Sequence, residues 1–292
     1  MLRVLGTVIA ALAGLAFGSF LNVCASRWPR RMSVVKPRSY CTSCGRTLRW
    51  WENIPLASWL ALRGRCRTCR AWIGWRHPLV ELVVGALWAH EGWKFFGAIA
   101  RPGRIPFDIN YSLTVAIGDC VLCWMLVALA VLDAENFWLP DWLTLPGIAL
   151  GIFRTLLVSA LESLFWFWQQ NLLAMLEREL VAILAASGLI LLIRLVYWLI
   201  RRREGIGWGD AKLMAMLAAW MGLTGSLLSF AMGVVLGALF AVVLLSAISI
   251  RKQPGGWAQM KLPLGTFLCI GGIVNVLWGE QILAAYRQWA RF

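Results

Sequence analysis

Gly205-Ile-Gly-Trp-Gly-Asp-Ala-Lys-Leu213 sets a carboxylate, Asp210, among three glycines at the mouth of a long apolar run. An ionisable group at membrane depth is costly unless it is paired or wet, so its presence points first to function. The glycines carry no side chains and let another backbone come close. Such a stretch reads as half of a site. The other half is a second carboxylate at the same depth, and Asp133 supplies it.

The chain around this stretch is that of a polytopic membrane protein. Of its 292 residues 60% are hydrophobic and 14% charged, against about 45–50% and 25% in soluble domains. Nineteen Trp suit a chain with many membrane–water boundaries. The net charge of +14 is concentrated: residues 27–77 hold twelve Lys/Arg against one acid, Glu52. A nucleic-acid interface is the first class such a charge evokes. The positive-inside bias and attraction to anionic lipid account for it more simply, so lipid and not nucleic acid is the expected partner.

Apolar runs of about 20 residues mark spanning helices. They fall at 3–25, 78–99, 112–132, 142–166, 180–200, 211–225, 227–249 and 262–284. The fold class is therefore all-α, with about eight transmembrane helices. The sixth and seventh runs are separated only around Gly222–Ser226, and 167–179 reads as an amphipathic or looped connector. The first run is followed, not preceded, by the basic cluster Arg27-Trp-Pro-Arg-Arg31, so it is expected to remain as an uncleaved helix. Three parts follow: 1–26 as the first helix, 27–77 as a basic cytoplasmic domain, and 78–292 as the remaining helices. Eight spans put 27–77, Arg201-Arg-Arg203 and Arg251-Lys252…Lys261 on one side, the cytoplasmic one, with both termini outside. Asp133 and Asp210 then emerge at the same face.

Two carboxylates sharing one proton divide the acid and base roles across a water, a chemistry that hydrolyses an amide without metal or nucleophile. The competing structural reading is that each Asp caps or flanks a helix end. Gly207 and Gly209 beside Asp210 favour the site. Asp141, after Pro140, begins a helix and reads equally as an N-cap or as part of the site. Lys212 lies two residues after Asp210, off its helical face; it reads as a lipid or substrate contact or as a snorkelling lysine. Asp119 is about 21 Å up its helix from Asp133, too far to share a proton at the boundary, and reads as an interhelix hydrogen-bonding group. Glu81 sits in the first turn of the second run. Ser19 and Asn22 read as interhelical glue, and Gly14 and Gly18 are spaced for close helix packing.

The second constellation is Cys41-Thr-Ser-Cys44 and Cys66-Arg-Thr-Cys69, with 21 residues between the pairs. Paired C-x-x-C knuckles at such spacing signal a closed tetrahedral zinc site. A segment of about 50 residues with few aliphatics does not hold itself together by burial, so a metal staple is physically needed. A cytoplasmic setting disfavours disulfides. Cys24, Cys120, Cys123 and Cys269 lie in apolar runs and read as packing residues.

Taken in order, Gly18-Ser-Phe-Leu-Asn22, Val34-Val-Lys-Pro-Arg-Ser39, the Cys41/Cys44 knuckle, Asn53-Ile-Pro55, Ser58-Trp-Leu60, Arg63-Gly-Arg-Cys66 and Cys69, Pro78-Leu-Val-Glu81, Asp133 with Leu139-Pro-Asp-x-Leu-Thr144, Gly207-x-Gly-Asp-x-Lys-Leu213 and Leu262-Pro-Leu-Gly265 resemble the bacterial type IV prepilin leader peptidases nearly end to end. The resemblance implies a membrane aspartic peptidase of the bacterial inner membrane with Asp133 and Asp210 as its catalytic pair. It implies prepilin or pseudopilin substrates of type IV pili and type II secretion, cut after a glycine to release a basic leader. It also implies methylation of the new N-terminus with S-adenosylmethionine, for which the residues themselves offer no Gly-rich cofactor loop. The rival class is a non-catalytic, zinc-stapled transporter or secretion-assembly scaffold, with the two Asp binding an ion or pairing helices. Transporters of that kind show repeated halves and midplane helix breaks, and the sequence shows neither.

Overall fold

The computed structural model describes residues 1–100, 106–166, 172–203, 207–250 and 262–290. Among these the chain is helical, with no strand and two isolated bridges. In order the helices are α1 (Leu2–Arg27), α2 (Ala57–Ala61), α3 (Arg76–Ile99), α4 (Pro106–Asn136), α5 (Asp141–Trp166), α6 (Leu172–Arg201), α7 (Trp208–Ile250) and α8 (Leu264–Trp289). In hydrocarbon each backbone amide must find its partner within the segment, and a helix provides that.

Six helices among the described residues are long and apolar enough to cross a membrane, fewer than the eight expected. Two of the expected spans, 211–225 and 227–249, run together in α7; a third, 78–99, forms α3, which carries Glu81, Glu91 and Lys94 and is not among the six. The connector expected at 167–179 is helical from Leu172, as the first turns of α6. Its 167–171 part, Gly205 and the basic loop Arg251…Lys261 lie outside the described residues.

The chain divides into two units, Met1–Ala128 and Leu129–Phe292, the point of division falling inside the α4 sequence. In the first, α1 packs along α3. A Cβ on Gly18 would lie 2.7 Å from the Cα of Glu81, and one on Gly14 would lie 2.8 Å from the Val84 carbonyl, so small residues set this contact. Asn22 donates to the His77 carbonyl (3.0 Å), as expected of interhelical glue. Buried Glu81 accepts the Leu56 N–H at 2.8 Å and so ties α3 to the cysteine-rich segment. Trp88 and Trp124 hold the first half of α4 through bonds to the carbonyls of Cys120 and Phe17. Asp119 lies 4.0 Å from Lys94 of α3, which pairs with buried Glu91.

In the second unit α5, α6 and α8 surround the first half of α7, whose Leu213, Met214, Met216, Leu217, Ala218 and Ala219 are fully buried. A straight helix of 43 residues would be about 65 Å long, twice the hydrocarbon core. The break falls at Gly222, with φ 67° and ψ −177°, a region open essentially to glycine alone. Carbonyls freed by such a break need new partners in lipid. Asn275 of α8 donates to the Gly225 carbonyl (2.8 Å) and to Ser229 Oγ (3.1 Å) beside it. Beyond the break, Val235, Leu239, Val242 and Val243 are exposed, as lipid-facing residues are.

Candidate active site

Asp133 occupies the last turn of α4. That helix stops where Phe137 turns left-handed at φ 51°, its N–H still bonded to the Asp133 carbonyl (2.9 Å). Pro140 then starts α5, its carbonyl accepting from Leu143 and Thr144. The link between the two helices is therefore only four residues long. Leu139 in this link lies against two glycines. A Cβ on Gly209 would sit 3.0 Å from the Leu139 Cβ, and one on Gly265 would sit 2.9 Å from its Cδ1. The end of α4 is thereby drawn to the starts of α7 and α8.

At that junction the two carboxylates come together. Asp133 and Asp210 are 6% and 8% exposed, and close enough to interact as charges. Asp210, in the first turn of α7, accepts the Gly207 N–H on Oδ2 at 3.2 Å. Asp133 accepts two donors on its own Oδ2, the N–H of Thr266 at 2.6 Å and its hydroxyl at 3.0 Å. Fully buried Cys269, one turn along α8, lies within electrostatic reach of both acids. Two buried carboxylates within electrostatic reach of each other favour one protonated and one ionised partner.

The other residues singled out in the sequence fall around this pair. Lys212 forms an ion pair with Asp141, so each answers the other instead of standing alone as a cap or a snorkelling lysine. Trp208 is exposed and stacks under the Arg194 guanidinium, 4.9 Å from its carbon. Thr266 is the residue that sequence reading did not single out; Leu139 and Gly265 stand in motifs of the resemblance, with no role attached. The signal present was Pro263 just ahead of an apolar run with Thr266 in its first turn, a helix start that places an N–H donor.

In the first unit the four cysteines of the knuckles converge. Their Sγ atoms all lie within 4.8 Å of one another. The Cys41–Cys69 separation is 3.8 Å, the edge of a tetrahedron whose metal–sulfur bonds are about 2.3 Å. The two knuckles are built alike. Cys41 and Cys66 each accept an N–H four residues on, from Gly45 and Arg70, both left-handed, and short bridges close each loop at Tyr40–Thr47 and Arg65–Trp72. The N–H groups of Cys69 and Thr68 donate to the Cys66 sulfur and draw its thiol down to about 6, toward the thiolate a metal requires. Glu52, buried, accepts Arg46 at 2.7 and 3.1 Å and the Arg49 N–H at 2.7 Å, fixing the turn between the knuckles. The donor set fits a structural zinc ion.

Comparison with known proteins bears on the whole chain. Residues 120–242 match the family model described as "Type IV leader peptidase family", and residues 12–95 match "Bacterial Peptidase A24 N-terminal domain". A prepilin leader peptidase/N-methyltransferase of Stutzerimonas stutzeri is 34% identical, the match covering 98% of this chain and 96% of that protein. Its counterpart in Pseudomonas aeruginosa is 34% identical over 96% and 93%. One from Myxococcus xanthus is 39% identical over 77% of this chain and 60% of its own length. No solved structure matches the chain.

Proposed function

The chain belongs to the type IV leader peptidase family, and from that premise we propose that it is a prepilin leader peptidase and N-methyltransferase whose peptidase centre is the pair Asp133 and Asp210. The observation that supports this reading is the convergence of these two buried acids at the junction of α4, α7 and α8. Gly209 and Gly265 admit Leu139, and Gly207 tethers Asp210.

In the proposed reaction a water sits between the two acids. The ionised carboxylate takes a proton from it as it attacks the scissile carbonyl, and the protonated partner hydrogen-bonds the carbonyl oxygen that becomes an oxyanion. The tetrahedral intermediate collapses when the carboxyl that took water's proton passes it to the peptide nitrogen, which leaves as the amine and restores the ionised carboxylate. Lys212 and Asp141, paired at the rim, shape the entrance.

The parts assigned from sequence are retained here as proposals: 1–26 as the first span, 27–77 as a cytoplasmic cysteine-rich domain, and 78–292 as the remaining spans. The protein is a multi-pass component of the bacterial inner membrane with the acids at the cytoplasmic boundary and both termini outside. Prepilins or pseudopilins present a basic leader there, cut after a glycine. Zinc held by Cys41, Cys44, Cys66 and Cys69 staples the loop and takes no part in the chemistry. The methyl donor is S-adenosylmethionine; among the described residues there is no strand-to-helix glycine loop of the kind that cradles nucleotide cofactors.

Incubation of the purified chain with a prepilin, with and without S-adenosylmethionine, tests this reading through the mass of the product N-terminus. Leader loss under both conditions, with one methyl added only when the donor is present, is expected. An intact prepilin under both conditions overturns the peptidase assignment.

A further inference from the structure

The two acids are held unequally. Asp133 takes two hydrogen bonds on Oδ2, at 2.6 and 3.0 Å, both from Thr266; Asp210 takes one, from Gly207 at 3.2 Å. We propose that Thr266 is a positioning residue of the pair, its N–H and hydroxyl holding Oδ2 of an ionised Asp133 at the start of α8 and leaving Asp210 to carry the shared proton. This rests on the peptidase reading and divides the two roles within it.

The donors come from the start of α8. Its N-cap is Pro263, which makes no side-chain cap, so the first-turn N–H groups need acceptors from elsewhere. Asp133, on another helix, supplies one. Gly265 makes the approach possible, because a Cβ there would lie 3.0 Å from both Cγ and Oδ2 of Asp133. Asp133 ends its own helix, where the backbone dipole disfavours an anion; the donors and the positive start of α8 reverse that. A bond of 2.6 Å to a carboxylate is in the short range of charge-assisted contacts.

The geometry also fixes which oxygen works. Both Thr266 donors reach Oδ2, the single hydroxyl proton lying between it at 3.0 Å and the Ala130 carbonyl at 3.2 Å. Oδ1 of Asp133 is the atom left to receive a proton from water. Asp210 from α7 and Cys269 from α8 lie within electrostatic reach of Asp133. Lys212, the cation nearest in sequence to the pair, is engaged by Asp141. The ordering of the two acids thus falls to the hydrogen-bond donors.

Two measurements on the full-length enzyme in detergent test the proposal. An aryl glycidyl ether alkylates a carboxylate anion, whereas a diazoacetyl ester needs the proton of a carboxylic acid. Peptide mapping should find the first on Asp133 and the second on Asp210. In parallel, Thr266→Val should lower kcat by about tenfold, the scale of one hydrogen bond to a charged group, with KM within roughly twofold of wild type. Thr266→Ser, which keeps the hydroxyl, should restore turnover. Epoxide labelling of Asp210, equal labelling of the two, or wild-type kcat in Thr266→Val overturns the proposal. These outcomes leave the peptidase reading standing, which fails only if the wild-type chain cleaves no prepilin.

Discussion

Gly265→Ala adds one methyl group at the tightest point of the candidate site. The new Cβ would lie 3.0 Å from Cγ and Oδ2 of Asp133 and 2.9 Å from Cδ1 of Leu139. Comfortable carbon contacts begin near 3.5 Å, so something must move by about half an ångström or more. Leu139 is also held against Gly209, and the crowded Oδ2 is the atom that Thr266 grips. The carboxylate therefore cannot swing aside without losing its donors. Overpacking of this kind costs about 1–3 kcal/mol of stability. A displacement approaching 1 Å at a reacting group costs up to about a hundredfold in rate. A fall in prepilin cleavage of roughly 10- to 100-fold, or about 1.4–2.7 kcal/mol in the barrier, is expected. The assay is kcat for leader removal per folded molecule, alongside a thermal melt. Gly188→Ala, whose Cβ would meet nothing within 4 Å, is the control and should match wild type. Wild-type turnover in Gly265→Ala, or a loss that merely follows the folded fraction, refutes the packing argument.

Cys41→Ser should reduce bound zinc from stoichiometric to none by metal analysis and loosen the loop to proteolysis; zinc-free wild-type protein with an intact loop would contradict the staple. Hydrogen bonds from Arg46 hold the Glu52 carboxyl below its ordinary 4.5, so its contribution to stability is present above that value and lost as pH falls through the depressed one. Glu52→Gln should lower the melting temperature at neutral pH, with the gap to wild type closing in acid. Gly222→Ala should destabilise by about 1–3 kcal/mol through backbone strain alone, since φ is 67° and a Cβ there meets no neighbour; an unchanged melt would show that the break tolerates a side chain.

The sequence made some of this legible through local periodicity and spacing. The knuckles were readable because both ligands of each C-x-x-C lie within one turn of chain, and their four sulfurs do converge. The matched depth of Asp133 and Asp210 was expected from the apolar runs between them, and the two lie within electrostatic reach of each other. Asn22 as interhelical glue, and Gly14 and Gly18 as contact residues, followed from polar and small residues in an apolar helix. The division of α7 was legible, since the apolar runs 211–225 and 227–249 part around Gly222–Ser226 and the backbone breaks at Gly222; the run 78–99 forms α3, whose Glu81, Glu91 and Lys94 leave it outside the six membrane-length apolar helices. The reading of 167–179 as an amphipathic or looped connector leaves a helix open, and from Leu172 it is one, since Glu177, Arg178 and Glu179 break the apolar run without breaking the helix. Pairings across long separations were also out of reach. Thr266 lies 133 residues from the acid it holds, and Lys212 lies 71 from Asp141. Such partners are chosen by where helix ends meet, which periodicity does not encode.

The central claim is that Asp133 and Asp210 act as one unit. Prepilin cleavage by Asp133→Asn, Asp210→Asn and the double variant, each shown to be folded and inserted, tests it most directly. Residues that share one chemical step are not additive. Both single variants should be as inactive as the double, with the product mass showing the leader still attached. A single variant that keeps near-normal cleavage, or two partial losses that multiply in the double, would contradict the account.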